Sequence, residues 1–235
     1  MRLLCSLVAR VTALNVLHCD NHLLAVYKPA GLPIVPDESG DPSLFDIARD
    51  WIEAEFNKPG RAFLGVVHRL DRPVSGVVLF ARTSKAANRL TSQFRERTVR
   101  KRYLGICQGL PSADEGRIEH WLIKNRSTNR VSVCAEGREG AKLAITSWRV
   151  LQREARTALL GLKPKTGRSH QLRVAAASMN VPLLGDLKYG ARDPLPDKSI
   201  ALHAESLEIE HPTLKERLTF RAQVPSGEWW DLARG

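Results

Sequence analysis

The polar stretch His68–Gly76 (HRLDRPVSG) organises the middle of this sequence. Two apolar runs flank it, Phe63–Val67 before and Val77–Ala81 after, and short apolar runs of this kind are typical of buried strands. The proline and the glycine within the stretch favour a rigid loop. The sequence therefore predicts two strands joined by a loop, called here the site loop, that displays Asp71 among arginines.

Asp71 is unusual because it is a carboxylate at the centre of a basic segment. A protein that only bound polyanions would gain nothing from this acid, since a carboxylate repels phosphate. Neighbouring guanidinium groups favour its ionised form, and an ionised carboxylate beside cations can act as a nucleophile or a general base. An aspartate that caps a turn before Arg-Pro is the structural alternative. The residues alone leave both interpretations open.

The distribution of charge around the site loop points to nucleic acid. The chain has 235 residues, with 36 lysines and arginines against 25 acids, a formal net charge of +11. Residues 68–102 hold ten basic and two acidic residues, a net charge of +8. Such a concentration is typical of a protein that binds a phosphate backbone. A solvated helix face is the alternative, but the segment spans a loop, a helix and a strand, and no amphipathic helix suited to a membrane accompanies it.

The pattern of apolar residues predicts an α+β domain around a mixed, largely antiparallel sheet. Helices are predicted over Leu44–Phe56, Thr83–Arg97 with Thr83 or Ser84 as the N-cap, and Gln171–Met179. The other predicted strands are Leu14–Leu17, Leu23–Tyr27, Val99–Cys107, Arg130–Cys134, Lys142–Gln152, Thr157–Lys163 and Leu218–Ala222. No internal repeat or clear linker divides the chain, so we expect one domain.

A second polar loop, Lys163–Arg173 (KPKTGRSHQLR), precedes the last predicted helix. Its residue types favour an anion-binding helix N-terminus, but it lacks the spacing of a nucleotide-binding P-loop, which argues against ATP. His170 within it is by itself more typical of a hydrogen-bonded core or turn histidine than of a catalyst. Three further motifs are each typical of turns when taken singly: Gly185–Gly190, Leu202–Ala204 and His211-Pro212.

Composition excludes several classes of protein. Hydrophobic residues make up 43% of the chain and charged residues 26%, as in soluble globular proteins, and no apolar run approaches the ~20 residues of a membrane-spanning helix. Met1–Leu17 is interrupted by Arg10, so we predict no cleavable signal there. The cysteines are far apart, which argues against a disulfide framework or a zinc ribbon and indicates a reducing compartment. They are Cys5, Cys19, Cys107 and Cys134.

His18, Cys19, Asp20 and His22 are residue types that bind metals. The dipeptide Asp20-Asn21 is also a turn signal between two apolar strands, and no second ligand pair occurs elsewhere. We therefore expect a structural turn and no metal at this place.

Together these motifs resemble the RluA-type pseudouridine synthases, a family that isomerises uridine to pseudouridine in structured RNA. The resemblance covers about residues 14–225, with six motifs in the family's order and spacing. They are Lys28–Pro33 (KPAGLP), His68–Asp71 (HRLD) with Ser75-Gly76, Lys101–Leu104 (KRYL), Thr166–Arg173 (TGRSHQLR), Gly185-Asp186 with Tyr189-Gly190, and Leu202–Ala204 (LHA) before His211-Pro212.

The resemblance assigns roles to individual residues. It implies that Asp71 is the catalytic aspartate, Tyr103 the active-site tyrosine and Arg173 the arginine that pairs with the aspartate. Arg69 matches the arginine that enters the RNA stack where the uridine is flipped out. The residues expected to bind RNA are Arg69, Arg72, Arg95, Arg97, Arg100, Lys101, Arg102 and Arg168.

The chemistry of the isomerisation explains these residue types. The N1–C1′ bond must break, the uracil must turn while it is held, and C5 must bond to C1′. An ionised carboxylate can attack the sugar or the base, or remove the ribose 2′ proton to give a glycal-like intermediate, and the sequence does not choose between these routes. The arginine keeps the carboxylate ionised and oriented, and the tyrosine can stack on the uracil while its hydroxyl helps to remove the C5 proton. The base must be flipped out or lie in a loop to be reached.

The resemblance further implies a central sheet flanked by helices, a catalytic cleft, and no metal or organic cofactor. We expect one catalytic domain over residues 1–235 without an S4-like RNA-binding domain, as in the compact members that act on tRNA or on a short rRNA stem-loop. We also expect a cytoplasmic monomer that does not bind membranes. A catalytically inactive RNA-binding protein on the same fold is the alternative function.

Two positions depart from the family pattern. Val74 stands where threonine is usual, and we expect a lost hydrogen bond rather than lost activity because valine is nearly isosteric. Ala175 replaces a frequent histidine, which affects fine substrate contacts and not the role of Asp71. A hydrolytic N-glycosidase is a more distant alternative, since it would need a second carboxylate and the site loops offer only Asp186.

Overall fold

A computed structural model describes residues 14–57 and 59–234 of the chain and places eleven strands in one sheet. The strands are β1 (Val16–Cys19), β2 (Leu23–Lys28), β3 (Gly65–Val66), β4 (Ser75–Ala81), β5 (Arg100–Gln108), β6 (Glu115–Asn125), β7 (Arg130–Cys134), β8 (Lys142–Arg153), β9 (Thr157–Pro164), β10 (Leu202–Glu210) and β11 (Arg217–Arg221). Their order is β1-β2-β4-β10-β5-β9-β8-β6-β7, with β3 paired to β4 and β11 to β10. Only β4 and β10 pair in parallel among these strands, which confirms the predicted mixed, largely antiparallel sheet.

In the part of the chain that the structure describes, three α-helices and two 3₁₀ segments accompany the sheet. The helices are α1 (Leu44–Glu55), α2 (Ser84–Glu96) and α3 (Gln171–Ser178), and the 3₁₀ segments are Leu187–Tyr189 and Glu228–Ala233. Ser43 caps α1 and Thr83 caps α2, each by accepting the N–H of the residue three positions on. The helices therefore begin where the sequence predicts.

The sheet is covered by α1 on one face of β4 and by α2 on the other. Every residue of β4 is buried, which agrees with the continuous apolar run Val77–Ala81 in place of an alternation. Val77 and Leu79 pack with Leu90 of α2, whereas Val78 and Phe80 pack with α1. The core thus lies on both faces of the strand that follows the site loop.

Most predicted elements agree with the structure within two residues, but three expectations were wrong. The strand β6 was not predicted. The motif Leu202–Ala204 is not a turn but the start of β10, where one extra residue between His203 and Ser206 forms a bulge. A bulge shifts the alternation of apolar residues, so a search for a period of two does not detect the strand. The predicted strand Phe63–Val67 shortens to β3, and Phe63 is 49% exposed.

The parallel pairing of β4 with β10 positions the site loop. Gly76 has φ 123°, and a Cβ atom there would lie 2.3 Å from the carbonyl oxygen of Ala204. Beside it, the buried Ser75 hydroxyl lies 2.9 Å from His203 Nδ1. Only glycine allows this close approach, so the end of the site loop is fixed against the strand that also pairs with β5.

Two sequence-based expectations fall partly or wholly on residues 1–13, outside the described residues: the absence of a signal in Met1–Leu17, and the state of Cys5. Cys19, Cys107 and Cys134 are free thiols. Within the described part of the chain no helix is both long and apolar enough to cross a membrane.

Candidate active site

A buried lysine ties the first motif to the site loop. Lys28 has no exposed surface, and its Nζ donates to the carbonyl oxygens of Pro29, Leu32 and Arg72 at 2.9, 2.8 and 3.0 Å. The N–H of Gly31 also donates to the Arg72 carbonyl. Burial lowers the pKa of Lys28 to about 7, although the charge of Asp71 opposes this shift. Two loops that are distant in sequence therefore have one shared anchor.

Arg173 forms a buried ion pair with Asp186 and also contacts Asp71. The Arg173 side chain is 7% exposed, and its Nε and NH2 donate to the two carboxylate oxygens of Asp186 at 2.8 and 2.7 Å. Its NH1 reaches Asp71 Oδ2 at 3.3 Å. Burial opposes the charge on Arg173, but the hydrogen bonds and charges of Asp186 and Asp71 together raise its pKa. Arg173 is therefore a fixed cation that directs its NH1 group to Asp71.

The Asp71 side chain is not a cap for its own turn. The turn closes through the backbone, where Val74 N–H donates to the Asp71 carbonyl. The carboxylate, 30% exposed, contacts Arg173 and lies 3.9 Å from His170 Nε2. No hydrogen bond to its Oδ1 occurs within the described residues. Asp71 therefore presents a free oxygen next to a fixed cation.

Tyr103 lies on β5 and packs at the edge of two core clusters. Burial, reinforced by the charge of Asp71, raises the pKa of its hydroxyl above the usual value. The tyrosine is therefore a neutral phenol at physiological pH. Because side chains alternate along a strand, Lys101 and Tyr103 project to one side of β5 and Arg100 and Arg102 to the other.

His170 and Tyr189 join the second polar loop to the third motif. His170 precedes α3 with a left-handed φ of 52°, and its Nδ1 lies 2.7 Å from the Tyr189 hydroxyl oxygen. That oxygen accepts the N–H of Val131 at 2.9 Å. The Arg173 guanidinium lies 5.0 Å from the centre of the Tyr189 ring. Tyr189 thus orients both of the side chains that approach Asp71.

A cleft of about 420 Å³ opens beside this group. Arg173 and Asp186 form part of its wall, together with Pro73 of the site loop and Lys188. Pockets for small ligands and cofactors usually measure about 300–1,000 Å³. The cleft therefore has room for a group of the size of a nucleotide next to the Arg173–Asp186 ion pair.

Residues 22–178 match the family model described as RNA pseudouridylate synthase, and the matched segment contains Asp71, Tyr103 and Arg173. This chain belongs to that family. The synthase is therefore an isomerase that acts on RNA, and the family resemblance in its motifs is confirmed.

Relatives of the synthase agree over nearly its whole length. It is 39% identical over 219 residues to the dual-specificity RNA pseudouridine synthase RluA of Escherichia coli strain K12, covering 89% of this chain and 92% of that protein. The RluA of Haemophilus influenzae is 35% identical, with coverage of 89% and 93%. The solved structure titled Human RNA Pseudouridylate Synthase Domain Containing 4 superposes with a TM-score of 0.75 at 25% identity, covering 95% of this chain and 92% of that one. The expected fold is confirmed.

Three cations of the synthase lie close enough together to affect one another, and we call them the basic cluster: Arg97, Lys101 and Arg168. Burial, with the charges of Arg168 and Arg97, lowers the pKa of Lys101 to about 8, and Lys101 Nζ donates to the Thr166 carbonyl at 2.9 Å. None of the three forms an ion pair within the described residues. Like charges held together in this way favour a bound anion.

Five other predicted RNA-binding arginines have different surroundings. Arg69 is exposed, and Arg95 lies beside Glu96 at 3.9 Å. Arg72 donates to the Gly31 carbonyl and pairs with the carboxylates of Asp37 and Asp41. Arg100 pairs with Glu208 at 3.2 Å and Arg102 with Glu205 at 3.4 Å. The structure does not bring Arg72, Arg100 or Arg102 to the Asp71 group.

Four site residues of the synthase received no catalytic role from sequence reasoning: Lys28, His170, Asp186 and Tyr189. All lie in motifs that carry the family resemblance, so their positions were visible. Asp186 was noted only as a second acid, and His170 only as a turn histidine. What was missing is the contacts that His170, Asp186 and Tyr189 make with Arg173 or Asp71 and the hydrogen bond from Lys28 to the Arg72 carbonyl, because separate segments of the chain supply them.

The histidines near the first turn have a structural environment. Asp20 Oδ2 contacts His18 Nε2 at 2.8 Å and His211 Nε2 at 3.2 Å, and Asp20 Oδ1 accepts the backbone N–H groups of His22 and Leu23. No set of three metal-ligating side chains forms in residues 14–57 and 59–234.

Proposed function

We propose that this synthase isomerises a flipped-out or loop uridine of a tRNA or an rRNA stem-loop, with Asp71 as the catalytic carboxylate. The observation that carries the proposal is the 3.3 Å contact between Arg173 NH1 and Asp71 Oδ2, with Arg173 itself held by two hydrogen bonds to Asp186. This contact sets a guanidinium charge beside the Asp71 carboxylate. The reaction needs a carboxylate here for attack on the sugar or base and for removal of the 2′ proton alike.

Tyr103 supports the same proposal. Its protonated phenol can stack on the uracil while the base turns, and its hydroxyl can help to transfer the C5 proton after the C5–C1′ bond forms. The reaction is an isomerisation, so the proton lost from C5 is balanced by a proton gained at N1. No external oxidant, reductant or second substrate is required.

The basic cluster supports binding of an RNA backbone, with Lys101 on the same side of β5 as Tyr103. We further propose that Arg69 enters the RNA stack, because it is exposed and only two residues from Asp71. We assign the remaining predicted arginines, Arg72, Arg95, Arg100 and Arg102, to peripheral contacts with the RNA. The E. coli and H. influenzae relatives carry the description dual-specificity, and we propose that this synthase also serves more than one RNA.

We also propose that the chain acts as one catalytic domain and as a monomer. The free thiols of Cys19, Cys107 and Cys134 support a reducing, cytoplasmic location.

Release of tritium from RNA labelled at uridine C5 tests the role of Asp71. We expect the wild-type protein to release label from tRNA or rRNA transcripts and Asp71→Asn to release none, while its RNA affinity stays within about twofold because the side chain keeps its shape. Asp50→Asn, an exposed change on α1, is the matched control and should behave as wild type. Turnover by Asp71→Asn would remove Asp71 from this role. Tight binding without release by the wild type from any transcript would favour an inactive RNA-binding protein.

A further inference from the structure

Asp71 Oδ2 faces a second N–H donor besides Arg173. The His170 Nε2 atom lies 3.9 Å from this oxygen, and the His170 side chain is 6% exposed. Whether Nε2 can donate depends on which imidazole nitrogen carries the proton. The contacts of the other ring nitrogen decide this.

The hydrogen bonds of Tyr189 determine the tautomer of His170. The Tyr189 oxygen already accepts the N–H of Val131, and its own O–H has one acceptor within reach among the described residues, His170 Nδ1 at 2.7 Å. If Nδ1 carried the proton instead, the Tyr189 O–H would be a buried donor without a partner, which is costly. Nδ1 therefore accepts, and in the neutral ring the proton lies on Nε2, facing Asp71.

The surroundings also keep His170 neutral. Burial lowers the pKa of His170, and the nearby charges of Arg173, Lys188 and Lys124 add to this effect, whereas Asp71 opposes it. A neutral imidazole can donate its one N–H to a carboxylate, and the carboxylate keeps its negative charge. His170 is therefore a fixed donor, and it does not compete with Asp71 as a base.

We infer that His170, locked as the Nε2–H tautomer by Tyr189, is a positioning residue for Asp71. With Arg173 it holds Oδ2, so that Oδ1 is the oxygen that reacts with the nucleotide. This inference rests on the proposed catalytic role of Asp71. The 3.9 Å separation in the free protein is longer than a hydrogen bond, and such contacts are often long in a ligand-free site and shorten when substrate binds.

Two substitutions separate this role from a merely structural one. Asparagine places its terminal atoms near the position of Nδ1, so His170→Asn keeps a partner for Tyr189 and tolerates the left-handed backbone, but it cannot reach Asp71. Glutamine places its amide nitrogen near the position of Nε2, so His170→Gln keeps a donor to Asp71 and weakens the link to Tyr189. A structural role predicts that the asparagine variant is active and the glutamine variant impaired, and a positioning role predicts the opposite.

The experiment measures the single-turnover rate of tritium release and, separately, the affinity for the same RNA. We expect His170→Asn to slow release about 10- to 100-fold, as for the loss of one hydrogen bond to a charged group, with unchanged affinity. His170→Gln should recover most of the rate. An asparagine variant as fast as wild type, or a glutamine variant as slow as the asparagine variant, would overturn the inference.

The tautomer has its own readout that does not depend on activity. A long-range ¹H–¹⁵N spectrum of the free protein should show the Nε2–H form for the histidine whose signal is missing in His170→Asn, and Tyr189→Phe should shift that histidine to a mixture of tautomers. An Nδ1–H form in the wild type would overturn the inference. Absence of tritium release by the wild type would instead be a failure of the proposed function, so the two failures are distinguishable.

Discussion

At the scale of single residues, Asp186 determines what Arg173 can do. Burying an isolated guanidinium costs free energy because the group loses its hydration. The two hydrogen bonds that Arg173 donates to Asp186 compensate for this loss. Because these bonds use Nε and NH2, only NH1 is left to reach Asp71. The arginine is therefore oriented by a residue that does not itself touch Asp71.

Asp186→Asn should lower both stability and turnover. Removing the charge leaves Arg173 buried without its main partner, which typically costs about 3–5 kcal/mol, and Arg173 is then free to turn away from Asp71. Urea unfolding measures the first effect and tritium release the second. Asp114→Asn, which removes a partner of Arg153 in an exposed pair, should cost no more than about 1 kcal/mol. Equal losses in the two variants would contradict this view.

Lys28 should make the stability of the protein depend on pH. Its pKa is about 7 in the folded protein against 10.5 in the unfolded chain, so between these values the unfolded chain binds a proton that the native state has lost. Stability then rises with pH across this window. Below pH 7 both states hold the proton, and the dependence on Lys28 disappears.

Lys28→Met should remove this rise. The stability difference between wild type and variant, from urea unfolding, should be larger at pH 9 than at pH 7 by about 2 kcal/mol. In this difference, the pH-dependent contributions of the titratable groups that both proteins share cancel. The exposed Lys85, replaced in Lys85→Met, provides the control and should leave the pH dependence unchanged. A pH-independent difference for Lys28→Met would show that Lys28 stays charged in the native state.

At the scale of elements, the contact of β4 with β10 joins the two halves of the site. The site loop enters β4, Tyr103 lies on β5, and β10 pairs with both strands. The parallel contact is short, covering the pairs Ser75–His203 and Gly76–Ala204. Any side chain at Gly76 would push these strands apart.

Gly76→Ala should therefore be far more damaging than Gly31→Ala. Both glycines have positive φ, 123° and 85°, but a Cβ at Gly31 meets no atom within 4 Å. Backbone strain alone predicts a loss of about 1–2 kcal/mol at Gly31, whereas the clash with Ala204 predicts about 3 kcal/mol or more at Gly76, together with loss of tritium release. Similar melting temperatures for the two variants would show that β4 and β10 can separate without cost.

At the scale of the whole molecule, the positive charge of residues 68–102 is divided between two sides of β5. The basic cluster lies on the side of Tyr103 and has no acidic partner in the described residues. Arg100 and Arg102 lie on the other side, where Glu208 and Glu205 already partly neutralise them. Net charge alone therefore overstates how many of these cations are available to an RNA backbone.

The salt dependence of RNA binding distinguishes the two groups. Arg97→Gln with Arg168→Gln should reduce the slope of log K against log salt by about 1.5, as for two lost phosphate contacts. The double variant Arg100→Gln with Arg102→Gln should reduce it by less, because both arginines already have carboxylate partners. Filter binding over a series of salt concentrations measures both slopes. A larger change for the Arg100 and Arg102 pair would place the RNA on the opposite side of β5.

A comparison of β7 with β10 shows which strands a local sequence pattern can predict. β7 was predicted with its observed bounds, since its residues pair along a regular antiparallel ladder. β10 was missed because its bulge shifts Leu207 and Ile209 out of phase with Leu202. β10 pairs with β4, β5 and β11 at once, and no window of sequence contains these partners.

The sequence by itself determined the family, the order of its motifs, the caps of α1 and α2, and the candidates Asp71, Tyr103 and Arg173. These depend on residue chemistry and on spacing along the chain. Only the tertiary structure decided which atoms meet: Arg173 NH1 with Asp71, 102 residues away, and Lys28 with Arg72, 44 residues away. Such contacts depend on strand pairing and on burial, because a side chain acquires its partners only when distant segments are packed together.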